Sequence, residues 1–148
     1  MKYSQAKLGR IFVIRLEDKD RLDQCIQDLA QKERIKRAAV ILIGGADQGS
    51  RLVVGPKEGR AQHIEPMQYL LDNVHEIAGV GTIFPSAEGE PVLHMHAACG
   101  RLGETKTGCV RAGVDIWHVG EAIIFELTDN QAVRRRDKMT GFELLEME

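Results

Sequence analysis

Near the start of the chain, "GRIFVIRLE" alternates apolar and polar positions and is rich in β-branched and aromatic residues, which predicts a strand over residues 10–16. The period then changes. In "DRLDQCIQDLAQKERI", Leu22, Ile26 and Leu29 recur at helical spacing with Cys25 and Ala30 beside them, so this segment is predicted to be an amphipathic helix. Asp20 is placed as its N-cap and Asp23 as a first-turn carboxylate. "KRAAVILIGGADQGSRLVVG" predicts two strands joined across a bend at Gly44 and Gly45. "PKEGRAQHIEPMQYLLDN" holds Pro56, Gly59 and Pro66 and is predicted to be mainly loop, with a short helix over residues 67–71. "VHEIAGVGTIFPSAEGEPVLHMHAACG" predicts a hairpin, its two strands joined by the polar turn "PSAEGE". After the turn-rich "RLGETKTG", "CVRAGVDIWHVGEAIIFEL" gives a long strand or a strand pair broken near Gly113, and residues 142–145 return as a final strand. Many strands with one or two helices imply an α+β fold built on a mostly antiparallel sheet, in one domain spanning residues 1–148.

Composition agrees with this picture. A chain of 148 residues can bury an apolar core without covalent staples. Its hydrophobic fraction of 43% and charged fraction of 28% are ordinary for a soluble globular protein, and no apolar run approaches the length of a membrane span. The beginning, "MKYSQAKLGRIFVIRLEDKD", has only the short apolar stretch "IFVI" before Arg15, so an export signal is not expected. Three cysteines, Cys25, Cys99 and Cys109, are odd in number and form no CxxC pair, which suits reduced thiols and a cytoplasmic location. Twenty basic and twenty-two acidic side chains give a net charge of -2, without the basic excess of an autonomous nucleic-acid binder. The run Arg134–Arg136 is followed by Asp137, Glu143, Glu146 and Glu148, and reads as a solvated charged tail. "IGGADQGS" has neither GxGxxG spacing nor a P-loop Lys-Ser/Thr, so its glycines predict a bulge or tight turn rather than a phosphate cradle.

The chemistry concentrates in "PVLHMHAACGRLGETKTGCVRAG". Strand alternation sends His94 and His96 to one face and Leu93 and Met95 to the other. Same-face neighbours lie about 7 Å apart, so the ring nitrogens can lean together onto one ion such as zinc. If the hairpin closes with Phe84 opposite Pro91, Gly81 lies across from His94 and Gly79 across from His96, leaving the facing strand bare. Cys109 is the first candidate for a third ligand, since its thiolate suits zinc and the intervening turn can return the chain beside His96. His118 and Glu121 come next, and alternation sends them to opposite faces, so at most one joins the site. His75, beside Glu76, starts a strand, and His63 lies in an exposed loop. The competing reading of the same residues is a polar patch on a solvated sheet face with a small buried cysteine beside it.

The segments "GRIFVIRLEDKDRLDQCIQDLAQKERIKRAAVILIGGADQGSRLVVG", "HEIAGVGTIF", "LHMHAACG" and "TGCVRAG" before the strand containing Glu121 together resemble, in order and spacing, the plant and prokaryote conserved (PPC) domain. That domain occurs alone in bacteria and archaea and fused to AT-hooks in plant nuclear proteins. The resemblance implies an α+β subunit assembled as a homotrimer, with the His-x-His strand close to the following turn. Many prokaryotic members carry histidine at the position of Cys109, so His94, His96 and Cys109 are the site positions carried over. A recurring acidic position matches Glu121. No Arg-Gly-Arg-Pro core of an AT-hook occurs here. Extended apolar strands such as "EAIIFEL" and "AAVILIGG" exceed what one helix covers, which also predicts self-association. The leading expectation is therefore a trimeric module that binds zinc or a small ligand. DNA association and a metal-dependent enzyme using Glu121 or Glu76 as base are the alternatives.

Overall fold

A computed structural model of the chain describes residues 1–61 and 63–147. In chain order its elements are β1 (Lys7–Leu16), α1 (Leu22–Lys32), β2 (Ala38–Ala46), β3 (Arg51–Pro56), β4 (Pro66–Leu70), β5 (His75–Pro85), β6 (Pro91–Arg101), β7 (Glu104–Cys109), β8 (Ile116–Thr128), β9 (Val133–Arg136) and β10 (Glu143–Glu146), with one 3-10 turn at Val110–Ala112. Eight strands form a single sheet in the order β1-β8-β2-β5-β6-β7-β3-β4, and β9 pairs with β10 in a separate hairpin. Every pairing is antiparallel. The α+β class expected from the pattern is thus the observed one, with one α-helix among the described residues.

The two faces of the sheet differ. Alternate residues of the central strands, among them Val40, Leu42, Ile77, Ile83, Met95, Ala97, Ala122 and Ile124, are buried and join Leu22, Ile26 and Ala30 of α1 in one core. These helix positions follow the 3.6-residue period, so α1 covers this inner face. The opposite face carries rows defined by the strand registers. One row runs Val13, Ile123, Ile41, Val80, His96, Cys109 across β1, β8, β2, β5, β6 and β7. The next runs Ile11, Phe125, Ala39, Thr82, His94. Val13, Ile41, Ile43 and Val80 remain exposed here.

Several expectations need correction. Residues 66–70 form edge strand β4 rather than a short helix: Pro66 stands first in the strand, where a missing N–H is tolerated, and β3 supplies the partner. Asp20 does not cap α1. Arg21 occupies the N-cap position without a side-chain bond to the helix backbone, while the Asp20 carboxylate accepts from the Glu17 N–H at 2.8 Å. Strand β2 continues through both glycines rather than ending at a bend there, and its register against β8 shifts between Gly44 and Ala46, so of the expected bulge or tight turn it is the bulge that forms and the chain turns later. A Cβ on Gly44 would stand 2.2 Å from the Val119 carbonyl oxygen, which is why no side chain fits. The Arg134–Arg136 run is no solvated tail. It lies in β9, with Arg134 buried and Arg135 paired to Glu146 at 3.2 Å. The predicted final strand is β10, displaced by one residue.

Candidate metal centre

The tight turn between β6 and β7 sets the site. Leu102 and Gly103 both have positive φ, 51° and 81°, as a two-residue type I′ hairpin requires. Counting back from this turn, Arg101 pairs with Glu104 and His96 with Cys109. Directly opposed residues share a sheet face with Cβ atoms about 5 Å apart, so the turn delivers the thiol to the imidazole. At Gly108 a Cβ would lie 2.6 Å from the Val53 carbonyl oxygen, so glycine lets β3 close on β7 and bury Cys109.

His94 and His96 point to the outer face, and Met95 between them is buried in the core. The two Nε2 atoms are 3.2 Å apart and the rings meet edge to face with centroids 5.0 Å apart. One ligand atom from each of His94, His96 and Cys109 lies within 4.8 Å of the others. On a tetrahedral zinc, two nitrogens at ordinary bond length are about 3.3 Å apart, so the imidazole pair already has ligand spacing. A borderline-soft ion with two imidazoles and one thiolate is also chemically consistent.

Gly79 and Gly81 do not face the histidines. The β5–β6 turn spans Ser86–Glu90 and closes Pro85 on Pro91, one residue from the expected register. Thr82 therefore faces His94 and Val80 faces His96, while Gly81 and Gly79 oppose Met95 and Ala97 on the core side. Convergence of the histidines comes from alternation alone. Burial lowers the His94 pKa below the usual imidazole value, and the charges of Arg134, His96 and Arg111 push it the same way. A neutral His94 is the form that binds metal.

The other expected candidates lie elsewhere. His118 has a φ of 52°, donates its backbone N–H to Asp18 at 2.8 Å and stacks edge-on against Trp117. His75 is buried with Nδ1 2.8 Å from the Asn73 carbonyl oxygen, so Nδ1 carries the proton and the ring is structural. His63 is exposed. Glu121 sits on β8, three strands from β6, or about 14 Å. Glu76 shares the face of Val80 but lies four residues along β5, about 13 Å away. Neither acid reaches the cluster within this chain. Two neighbours were not legible beforehand: Thr82, hidden by the register, and Arg134, hidden in a charge run.

The model of the Plants and Prokaryotes Conserved (PCC) domain matches residues 3–128. The chain belongs to this family. Its fold is also that of solved PCC-type structures. A plant- and prokaryote-conserved protein from Pyrococcus horikoshii superposes with a TM-score of 0.85 at 23% identity, over 100% of this chain and 99% of that one. A metal-containing protein from Archaeoglobus fulgidus gives 0.82 at 23% identity, over 97% and 98%. A candidate DNA-binding protein from Bacteroides thetaiotaomicron gives 0.77 at 13% identity, over 97% and 99%. No curated protein matches the sequence. Among the described residues of this PCC domain, no helix is long and apolar enough to cross a membrane.

Proposed function

We propose that this PCC-domain chain is a single-domain subunit of a homotrimeric, cytoplasmic metal-binding module that holds zinc through His94, His96 and Cys109. The observation that carries the reading is the convergence of two ring nitrogens and one thiol within 4.8 Å on one sheet face. The solved relative named as metal-containing supports it from outside this chain. Three protein ligands leave a tetrahedral zinc one position for a small exogenous ligand. Trimer formation is supported by the exposed apolar row through Val13, Ile41 and Val80, for which further copies of the same chain are the natural cover.

Protein purified without added metal should contain about one zinc per chain, a stoichiometry set by one cluster. Alanine at His96 or Cys109 should abolish it. Substoichiometric metal, together with no zinc-induced rise in melting temperature, rules the reading out.

DNA association is the second reading, supported by the name of the Bacteroides relative. The basic run gives it little help, because Arg134 is buried and Arg135 is paired. A duplex complex at low salt and micromolar protein that weakens steeply with added salt favours it; no complex removes it.

A further inference from the structure

Arg134 is 6% exposed, so most of its side chain is withdrawn from water. A buried guanidinium is always charged and ordinarily takes a carboxylate partner. This one has none: among the described residues it forms no ion pair, and Glu143 acts on it only at longer range. Its Nη2 donates to the Thr82 hydroxyl at 3.1 Å, and its carbon centre lies 5.9 Å from the Phe84 ring centroid. The buried Nε–H has no acceptor among the described residues. Orphaned buried donors are rare in folded proteins and point to a missing acceptor.

The position of this donor gives it meaning. Thr82 is paired with His94 across β5 and β6, so the group that anchors Arg134 stands beside a candidate ligand. Arg111, two residues after Cys109, lies in the 3-10 turn that follows β7 and brings a second cation to this corner. Zinc with one thiolate and two neutral imidazoles carries a net charge of about +1, and two arginines add to it. The corner therefore carries an excess of positive charge, which Glu143 offsets only at longer range. Moreover, Arg134 lies beyond residues 3–128, so the C-terminal hairpin adds it to the matched domain.

We propose that Arg134, with Arg111 as a weaker second cation, forms the anion half of a binding site whose other half is the His94–His96–Cys109 centre, and that the ligand is a small carboxylate. This rests on the metal reading above. A metal held by His94, His96 and Cys109 would supply a Lewis-acid position for a carboxylate oxygen, and the planar fork of Arg134 would donate to the carboxylate's second oxygen. A carboxylate would satisfy both the metal and the guanidinium, whereas a neutral ligand leaves the charge of Arg134 uncompensated.

The test uses the full chain loaded with cobalt(II), whose thiolate charge-transfer and d–d bands report the site, titrated with acetate. Wild type should show a saturable change in the d–d bands. Arg134→Met fills the same space without charge, and replacing a buried ion with an apolar side chain is commonly tolerated. It should weaken acetate at least about tenfold, the cost of one charge-assisted hydrogen bond, while cobalt affinity changes less than threefold. Arg134→Lys should fall between, and Thr82→Val, which frees the guanidinium from its anchor, should weaken acetate severalfold. Equal acetate affinity in wild type and both Arg134→Met and Thr82→Val overturns the proposal, as does binding of phosphate but not acetate. No cobalt–thiolate band in wild type overturns the metal reading and this proposal with it; a normal band without Arg134-dependent acetate binding overturns this proposal alone.

Discussion

Cys99 and Cys109 lie on neighbouring strands but face opposite sides of the sheet. Burial in the core pushes the Cys99 thiol up to about 11, so near pH 8 only about one molecule in a thousand carries the thiolate. Cys99 should resist iodoacetamide in the native chain and react only on unfolding, as peptide mapping will show. Alkylation at the rate of a free thiol contradicts its placement. A second residue-scale prediction concerns acid. Hydrogen bonding from Lys19 lowers the Asp47 pKa, and hydrogen bonding from Arg10 lowers that of Glu126. A carboxyl with a depressed folded pKa contributes stability above its unfolded value, about 4, and loses it as pH falls through the folded value. The urea midpoint should therefore drop between about pH 7 and pH 3, and the drop should be smaller in Glu126→Gln. At this scale the sequence was informative where side-chain direction follows from alternation, as for His94 and His96. Arg134 was not legible, because nothing in "RRR" distinguishes a solvated guanidinium from one folded under a hairpin.

Turns decide what the strands present. The β6–β7 turn at Leu102 and Gly103 sets His96 against Cys109, and the five residues 86–90 between β5 and β6 set Thr82 against His94. A different closing pair in that loop moves every cross-strand neighbour by one, which is why the facing residues could not be read from the chain while the facing side could. The edge strand β4 was obscured for a related reason: "PMQYLL" fits one helical turn or a short strand, and only its pairing with β3 decides. Gly108→Ala tests the element-level account. The added methyl meets the Val53 backbone, so β3 must retreat from β7. We expect a loss of about 1–3 kcal/mol in stability, measured by urea unfolding, with at least tenfold weaker zinc binding as Cys109 shifts. Unchanged zinc affinity in a destabilised variant means that β3 does not position the thiol. On the covered face, Ile26→Ala should cost about 2–5 kcal/mol, because α1 is the only helix over the core among the described residues.

For the molecule as a whole, α1 covers one side of the sheet, while on the other Val13, Ile41, Ile43 and Val80 stay exposed, with the His–His–Cys corner at the end of that apolar row. Full burial of an aliphatic side chain contributes about 1.5–3 kcal/mol at most, so covering four of them gives copies of the chain a substantial reason to associate. Wild type should sediment as a trimer, and Val13→Glu with Ile41→Glu should sediment as a monomer; a monomeric wild type contradicts the assembly. The alternation that shows this apolar excess in the sequence does not say which face α1 takes. The central claim is coordination, and X-ray absorption at the zinc edge of the purified full chain addresses it most directly. The account predicts a first shell with nitrogens near 2.0 Å and one sulfur near 2.3 Å, the sulfur shell disappearing in Cys109→Ser. A shell of oxygen and nitrogen alone, with or without Cys109, contradicts it.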